Sequence, residues 1–455
     1  MPSRQDQLHS YQFMVQRVVS ALVLRETDPP QSPFRRVATA ALASVLVAIV
    51  IAAGFGVYGV FTNRGDRSWR TEGAVIIEKG SGAVYVWREN KLHPALNLAS
   101  AYLASSSAKP ARFEVSAKSL QGVPWGVTVG VAFLPDTLPS PQELVGFPWS
   151  VCSLPGNGSP VSVVAAGDQS GMGGRTVMDN EAIVVKSATR STAPTDTYLL
   201  WRGRLYEIRP AVASTLAPGI QPTIVSSAFI NGVAKGQPLE PLVIQGKGTP
   251  FEKNPIWNVG QVIRVNSFQE DKYVVVRATD LAWVSEFQAA LLGSVRGGSE
   301  SINDLNRFGA INDKLLPPPN SSPLDPPVDR PSIAVYTGSG LCSVIKDDQG
   351  ASELRADVKI DVTQRPGTAK RSAVGGVYAD YVIMPSGRGA LVSSGQTYSL
   401  VAPDGVRYAA ANGQVLARFG YEGISTLKLP PALIALLPEG PGLDPAEALV
   451  PLTVS

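Results

Sequence analysis

The chain has 455 residues, room for two or three domains. Charged residues make up 17% and the formal net charge is +3, which excludes the basic signature of a nucleic-acid-binding protein. With 43 Gly and 37 Pro, turns and short strands are favoured over long helices, and 44% hydrophobic residues suffice for a packed core.

Residues 6–25 read as an amphipathic helix, because Leu8, Tyr11, Val15, Val18 and Leu22 recur at 3,4,3,4 spacing. So narrow a seam suits packing against another helix or a groove. The opposite face, with Gln5, Gln12, Gln16, Arg17 and Ser20, lacks the basic character of a helix lying on lipid. Those five apolar residues are therefore the expected partner-docking set. Asp28-Pro29-Pro30 stops the helix, and Pro33 keeps the following link extended.

Residues 37–61 are 25 uncharged residues in succession. As a helix they reach ~38 Å, enough to cross a ~30 Å hydrocarbon layer with some tilt. The 36 residues before them are too many for a signal-peptide leader, so an uncleaved anchor is expected. Arg4, Arg17, Arg25, Arg35 and Arg36 precede the anchor, against Arg64, Arg67 and Arg70 after it, which favours a cytoplasmic N-terminus and an extracytoplasmic body. Ala40, Ser44, Ala48, Ala52 and Gly56 fall at i,i+4 intervals, a small-residue stripe on which a second membrane helix can pack. The only cysteines, Cys152 and Cys342, follow the anchor, where disulfides persist. On this ground alone they either pair or remain two buried thiols. If they pair, the long closed loop corresponds to about 4–5 kcal/mol of lost chain entropy.

Beyond the anchor the pattern changes to short strands. Residues 74–78 and 83–87 flank Lys79-Gly80-Ser81-Gly82, a hairpin signal. Residues 92–103 have helical character, with Pro94 in the first turn. Strand-like segments begin at Tyr85, Tyr198, Tyr273 and Tyr398, each followed by a polar turn and an apolar return. Ala228, Ile230, Gly236, Leu239 and Pro241 match Ala432, Ile434, Gly440, Leu443 and Pro445 at a constant offset of 204, which points to duplication. Residues 315–331 hold seven prolines and read as an extended linker.

Catalytic chemistry is hard to place. Of two histidines, only His93 lies beyond the anchor; no GxSxG elbow accompanies it, and it reads as a capping or packing residue. The His and Cys count is too low for a zinc cluster. The strings nearest to a P-loop, Gly246-Lys247-Gly248-Thr249 and Gly173-Gly174-Arg175-Thr176, lack its spacing: Pro241 and Gln169 stand where the leading glycine belongs. The expectation is no cofactor, no metal and no catalytic residue.

Six segments in order resemble the EccB family, the membrane-anchored component of actinobacterial type VII (ESX) secretion systems. They are QLHSYQFMVQRVVSALVLRE, GAVYVWRENKLHPALNLASAYL, LPDTLPSPQELVGFPWSVC, YLLWRGRLYEI, GGVYADYVIMPSGRGALV and LLPEGPGLDPAEAL. The resemblance implies a disulfide between Cys152 and Cys342, and a periplasmic body of four repeat modules around a central β-rich domain. It implies assembly with an EccC-like motor ATPase, EccD-like and EccE-like membrane subunits, a mycosin-like protease and further copies of itself, with cell-wall attachment as a secondary role. Some members are described as ATPases, which the missing P-loop puts in doubt here.

The expected fold is thus a mixed, β-rich α+β body behind a single transmembrane helix in the plasma membrane. The expected segments are 1–36, cytoplasmic arm; 37–61, anchor; 62–145, module 1; 146–190, first part of the central domain; 191–250, module 2; and 251–314, module 3. The linker at 315–331, the second part of the central domain at 332–374 and module 4 at 375–455 complete the chain. The expected function is a structural core subunit of a type VII secretion membrane complex, the alternatives being a peptidoglycan-binding anchor protein or an ATP-hydrolysing subunit.

Overall fold

The computed structural model describes residues 3–24, 33–62, 68–135, 137–168, 170–188, 197–265, 271–293, 295–300, 305, 311–316, 330–336, 338–350, 352–368 and 377–451. The expected linker lies mostly outside them. Helix Arg4–Leu24 carries the apolar seam, and Asp6 in its first turn accepts from the Ser3 N–H while the Ser3 hydroxyl accepts from Asp6 N–H, closing its N-terminus. Helix Pro33–Thr62 contains the anchor and begins at Pro33, where an extended link was expected: a helix's first turn tolerates proline, whose amide has no intrahelical partner there. The body that follows is a set of mixed β-sheets with short helices.

One strand order occurs in four of these sheets. In the first, Val75–Glu78, Val84–Arg88 and Lys91–Ala95 form an antiparallel meander, helix Leu98–Ala104 crosses over, and Arg112–Val115 returns parallel to the opening strand. A parallel return requires such a crossover, which a tight turn cannot supply. The chain then bridges, again in parallel, to the third strand at Leu92–Trp125 and Ala95–Val129. The second sheet repeats this with Glu181–Ser187, Thr197–Trp201, Arg204–Glu207, helix Pro210–Leu216 and Thr223–Val225. The third uses Val262–Val265, Lys272–Val276, Leu281–Val284, helix Glu286–Leu292, Val295–Glu300 and Ile311–Leu316. The fourth uses Ala390–Ser394, Thr397–Val401, Arg407–Ala410, helix Gly413–Arg418 and Leu427–Lys428. Tyr85, Tyr198, Tyr273 and Tyr398 are each the second residue of the second strand.

Three of the four crossover helices begin where a polar side chain accepts from the first turn, while Pro210–Leu216 opens on a proline without such a cap. Asn97 takes the Ser100 N–H at 2.8 Å, Ser285 that of Gln288 at 3.1 Å and Asn412 that of Val415 at 3.2 Å. This corrects the helix expected from residue 92: Leu92, His93 and Pro94 pair with Trp87, Val86 and Tyr85 as a strand. The cause is the turn before them, where Glu89 and Asn90 have φ of 51° and 58°, the pair of positive values that a two-residue hairpin turn needs.

A fifth, six-stranded sheet sits between these units. Its order is Tyr381–Ile383, Val161–Ala166, Trp149–Leu154, Leu341–Ile345, Ser352–Ala356, Arg175–Thr176. Trp149–Leu154 is buried on both faces, so its sequence is a continuous apolar and small-residue run without alternation. Three strands fall across the segment boundaries expected from the sequence. Glu181–Ser187 lies inside the second sheet, Ser332–Ile333 joins that same sheet, and Tyr381–Ile383 pairs with the central strand Val161–Ala166. A strand's composition does not record which neighbour it hydrogen-bonds, so these memberships are tertiary facts.

One apolar core joins Trp149, Val151 and Val164 of the central sheet to Ile183, Leu200 and Phe229 of the second unit and Val392, Leu433 and Leu437 of the fourth. A second core joins Val86 and Leu103 of the first unit to Leu400, Tyr408 and Phe419 of the fourth. A third sets Phe287 and Leu291 of the third unit against Trp201 and Tyr206 of the second. The first unit therefore packs on the fourth, the fourth, the centre and the second share one core, and the third packs on the second, unlike the order along the chain.

Candidate functional site

The functional parts are an anchor, a body close behind it in sequence, and the disulfide-bearing sheet on which the body is assembled. Within the long helix, Thr39–Val57 is apolar enough to cross a membrane, and none of its side chains is buried by the rest of the chain. Ala40, Ser44, Ala48, Ala52 and Gly56 all lie in this exposed stretch, and a Cβ at Gly56 would meet nothing within 4 Å. Trp69 is fully buried shortly after the anchor, its ring edge-on to Trp87 at 5.4 Å and its face covered by the Arg70 guanidinium at 5.2 Å. In sequence, five residues, 63–67, separate the anchor helix from this packed start of the body.

Cys152 and Cys342 face each other across neighbouring antiparallel strands and form a disulfide, with Cα atoms 4.0 Å apart across a sequence separation of 190. Both are fully buried beside Leu154, Val163, Met172 and Val358. Next to this bond, Asp380 accepts from the N–H and hydroxyl of Ser162 at 2.8 and 2.7 Å, and its own N–H donates to that hydroxyl at 2.9 Å. This reciprocal set pins the outer strand Tyr381–Ile383 in place. On the other side, Glu353 takes the Lys346 ammonium and the Thr176 hydroxyl, which hold its carboxyl below the ordinary value.

The seams between units are also specific. Arg418 donates to the carbonyls of Leu103 and Ser105, joining the fourth unit to the first, and the buried Tyr421 hydroxyl donates to Pro139 O at 2.6 Å. Burial raises the Tyr421 pKa well above its ordinary value, so the hydroxyl remains a donor. Between the second and fourth units the close approach rests on Gly232, where a Cβ would lie 2.5 Å from Leu436 Cδ1 and 3.2 Å from Val151 Cγ2.

His93 is placed by structure in a packing role. Its ring lies against Gly126, and its Nδ1 is 3.0 Å from Val127 O. The amides that a phosphate would need in the 246–249 turn are committed: Lys247, Gly248 and Thr249 donate to Ile244 O, Val259 O and Gly246 O. Arg175, in the second P-loop-like string, is paired with Glu181 at 2.9 Å. No group of three or more metal-ligating side chains occurs among the described residues. A cleft of about 490 Å³ beside the central sheet is lined by Ser153, Ser159, Thr223 and Tyr336. The Tyr336 pKa is pushed up to about 12 by burial and by the charge of Asp357, so its hydroxyl stays protonated near neutrality.

Leu8, Tyr11, Val15, Val18 and Leu22 are all exposed on the first helix. So are Phe13, Met14 and Val23, which the seam spacing omits; counting every large apolar residue, and not only the best-spaced ones, finds them.

The profile of the family described as "Type VII secretion system ESX-1, transport TM domain B" matches residues 1–454. The chain is 26% identical over 470 residues to the ESX-2 secretion system ATPase EccB2 of Mycobacterium tuberculosis H37Rv, covering 90% of this chain and 88% of that protein. It is 25% identical to the ESX-3 secretion system ATPase EccB3 of Mycolicibacterium smegmatis, covering 98% and 90%. Among solved structures, a chain of an intact ESX-5 inner membrane complex superimposes with a TM-score of 0.64 at 21% identity, covering 100% of this chain and 96% of that one. The EccB3 dimer from the ESX-3 core complex gives a TM-score of 0.59 at 21% identity, covering 83% and 100%. With the match spanning the anchor and the whole β-rich body, the chain belongs to the EccB family of type VII secretion transport proteins.

Proposed function

We propose that this chain is a structural core subunit of a type VII secretion complex: a single-pass protein of the inner membrane whose body scaffolds the extracytoplasmic side. The observation that carries this reading is one uncharged membrane helix followed closely by a body built on a disulfide-closed sheet, in a chain of the EccB family. Four units of shared strand order around the central sheet support a division into repeat modules around a central β-rich domain. Partners of the EccC motor, EccD, EccE and mycosin types, together with further copies of this chain, are those such a scaffold would hold. The exposed small-residue stripe is the proposed contact for a neighbouring membrane helix, and the exposed apolar face of the first helix is the proposed cytoplasmic contact.

The role proposed is non-enzymatic, although the EccB2 and EccB3 relatives carry the name ATPase. The committed amides of the 246–249 turn support this. Affinity purification of the full chain from detergent-solubilised native membranes should yield a large complex containing an ATPase motor subunit, with hydrolysis tracking that subunit. Recovery of the chain alone, or hydrolysis lost on substitution within this chain, would overturn the proposal.

A further inference from the structure

Unpaired sheet edges template further strands, and proteins usually blunt them with proline or charge. In the second sheet the chain bridging to the third strand, residues 235–239, carries Lys235 and Pro238; in the fourth, residues 439–443 carry Glu439 and Pro441. In the third, Ile311–Leu316 contains Asp313 and Lys314. The corresponding stretch of the first sheet is Trp125-Gly126-Val127-Thr128-Val129, without proline or charge, inside an uncharged run spanning 119–135.

The inward-facing groups of this stretch are used. Gly126 N–H donates to Leu92 O at 3.0 Å, Val129 N–H to Pro94 O at 2.9 Å, and Val127 O lies 3.0 Å from His93 Nδ1. Among the described residues, the N–H and C=O of Trp125 and Thr128 and the N–H of Val127 have no hydrogen-bond partner. Trp125 and Val127, at alternate positions, are 56% and 54% exposed, and Leu96 beside them is 45% exposed. A cleft of about 440 Å³ opens next to this edge, lined by Tyr85, Pro94, Leu96, Asn97 and Trp125, with the Tyr85 and Trp125 rings edge-on at 5.5 Å.

We propose that the 125–129 edge binds an extended polypeptide segment of another chain by strand addition, with one large apolar side chain of that segment in the Tyr85–Trp125 cleft. Strand addition draws affinity from main-chain hydrogen bonds and selectivity from pockets for alternate side chains, and both are present here. The segment is uncharged with apolar residues at alternate positions, because a charge set against this uncharged run would lose hydration without a counter-charge. A saccharide fits less well: of the polar side chains lining the cleft, Asn97 is already committed to Ser100 N–H and Val131 O, and the Tyr85 hydroxyl donates to Glu78 at 3.0 Å. The site is independent of the subunit role proposed above.

The test uses the full chain in detergent and a dye-labelled peptide, Thr-Val-Thr-Leu-Thr-Val-Thr, followed by fluorescence anisotropy. Saturable binding is expected. N-methylation of one alternate set of peptide amides should weaken it at least ~10-fold, the scale of two lost hydrogen bonds, while N-methylation of the other set leaves it unchanged. Thr128→Pro places proline where the second sheet carries Pro238 and removes an N–H that has no partner, so it should weaken binding comparably with the fold intact. Should it lower the melting temperature, Val127→Lys takes its place. Trp125→Ala should weaken binding by emptying the cleft wall. No saturable binding, equal effects of both N-methyl sets, or unchanged binding by the edge variants would overturn the proposal. Displacement of the peptide by a soluble muropeptide would assign the cleft to glycan instead.

Discussion

The Tyr408 ring lies against Gly440 so closely that a Cβ on that glycine would be 2.4 Å from Tyr408 Cε1. The same relation joins Tyr206 to Gly236 and His93 to Gly126, in each case on the third strand and the chain that bridges to it. The glycine serves close approach and is not selected by an unusual backbone angle. Gly440→Ala should destabilise the body by about 1–3 kcal/mol through overpacking against a confined ring. Gly442→Ala, where a Cβ meets nothing within 4 Å, should be near neutral. Thermal melts of the two variants compare them directly; equal melting temperatures would refute the packing argument.

The disulfide links strands separated by 190 residues. Chain-entropy reasoning gives an upper figure of about 5 kcal/mol for so long a loop. Paired replacement of Cys152 and Cys342 by Ser should lower the melting temperature under oxidising conditions. In reductant, once the wild-type bond is shown by thiol labelling to be open, the difference should largely vanish. A difference that persists would assign the effect to packing.

Acid should weaken the central region. The Lys346 ammonium and Thr176 hydroxyl lower the Glu353 pKa from its ordinary 4.5, and the Met178 N–H and Arg175 do the same for Glu181. A carboxyl whose pKa is lower in the folded than in the unfolded state contributes stability above the unfolded value and loses it as pH falls through the folded one. Melting temperature should therefore be level above about pH 5 and decline below about 4.5. In Glu353→Gln that acid-side decline should be shallower; an unchanged slope would remove Glu353 from the account.

The N-terminal helix should act as a docking element. Helices in proteins draw most of their stability from packing an apolar face, and the large apolar residues of this 21-residue helix are exposed along its length. Tyr11→Asp with Val18→Asp should release the chain from its membrane assembly on native gels, with membrane insertion and the disulfide retained. An unchanged assembly would favour a helix that rests on its own bilayer.

Orientation follows from the anchor's flanks. A reporter active only outside the cytoplasm, fused after Ser455, should function, and a cytoplasm-only reporter at the same position should not. The reverse result would invert the topology.

Several features were legible in the sequence because their causes are local. The 25 uncharged residues at 37–61 specify a membrane helix by length and polarity alone. The recurrence of Tyr85, Tyr198, Tyr273 and Tyr398 located the second strand of each unit, because a buried strand repeated in one environment keeps its pattern. The helix expected at 92–103 failed in its first turn because the Glu89-Asn90 turn governs Leu92–Pro94, and only the Asn97 cap starts the helix.

What the sequence by itself determined is thus an anchor, a series of turn-bounded strands and their recurrence. The tertiary structure alone decided which strands share a sheet. Trp149–Leu154 lies beside Leu341–Ile345, Tyr381–Ile383 beside Val161–Ala166, and the fourth unit packs between the first and the centre. The physical reason is that backbone hydrogen bonds are chemically the same at every residue, so they carry no address. Partners far apart in sequence are selected only when many side chains, such as Val151, Phe229 and Leu433, are buried together.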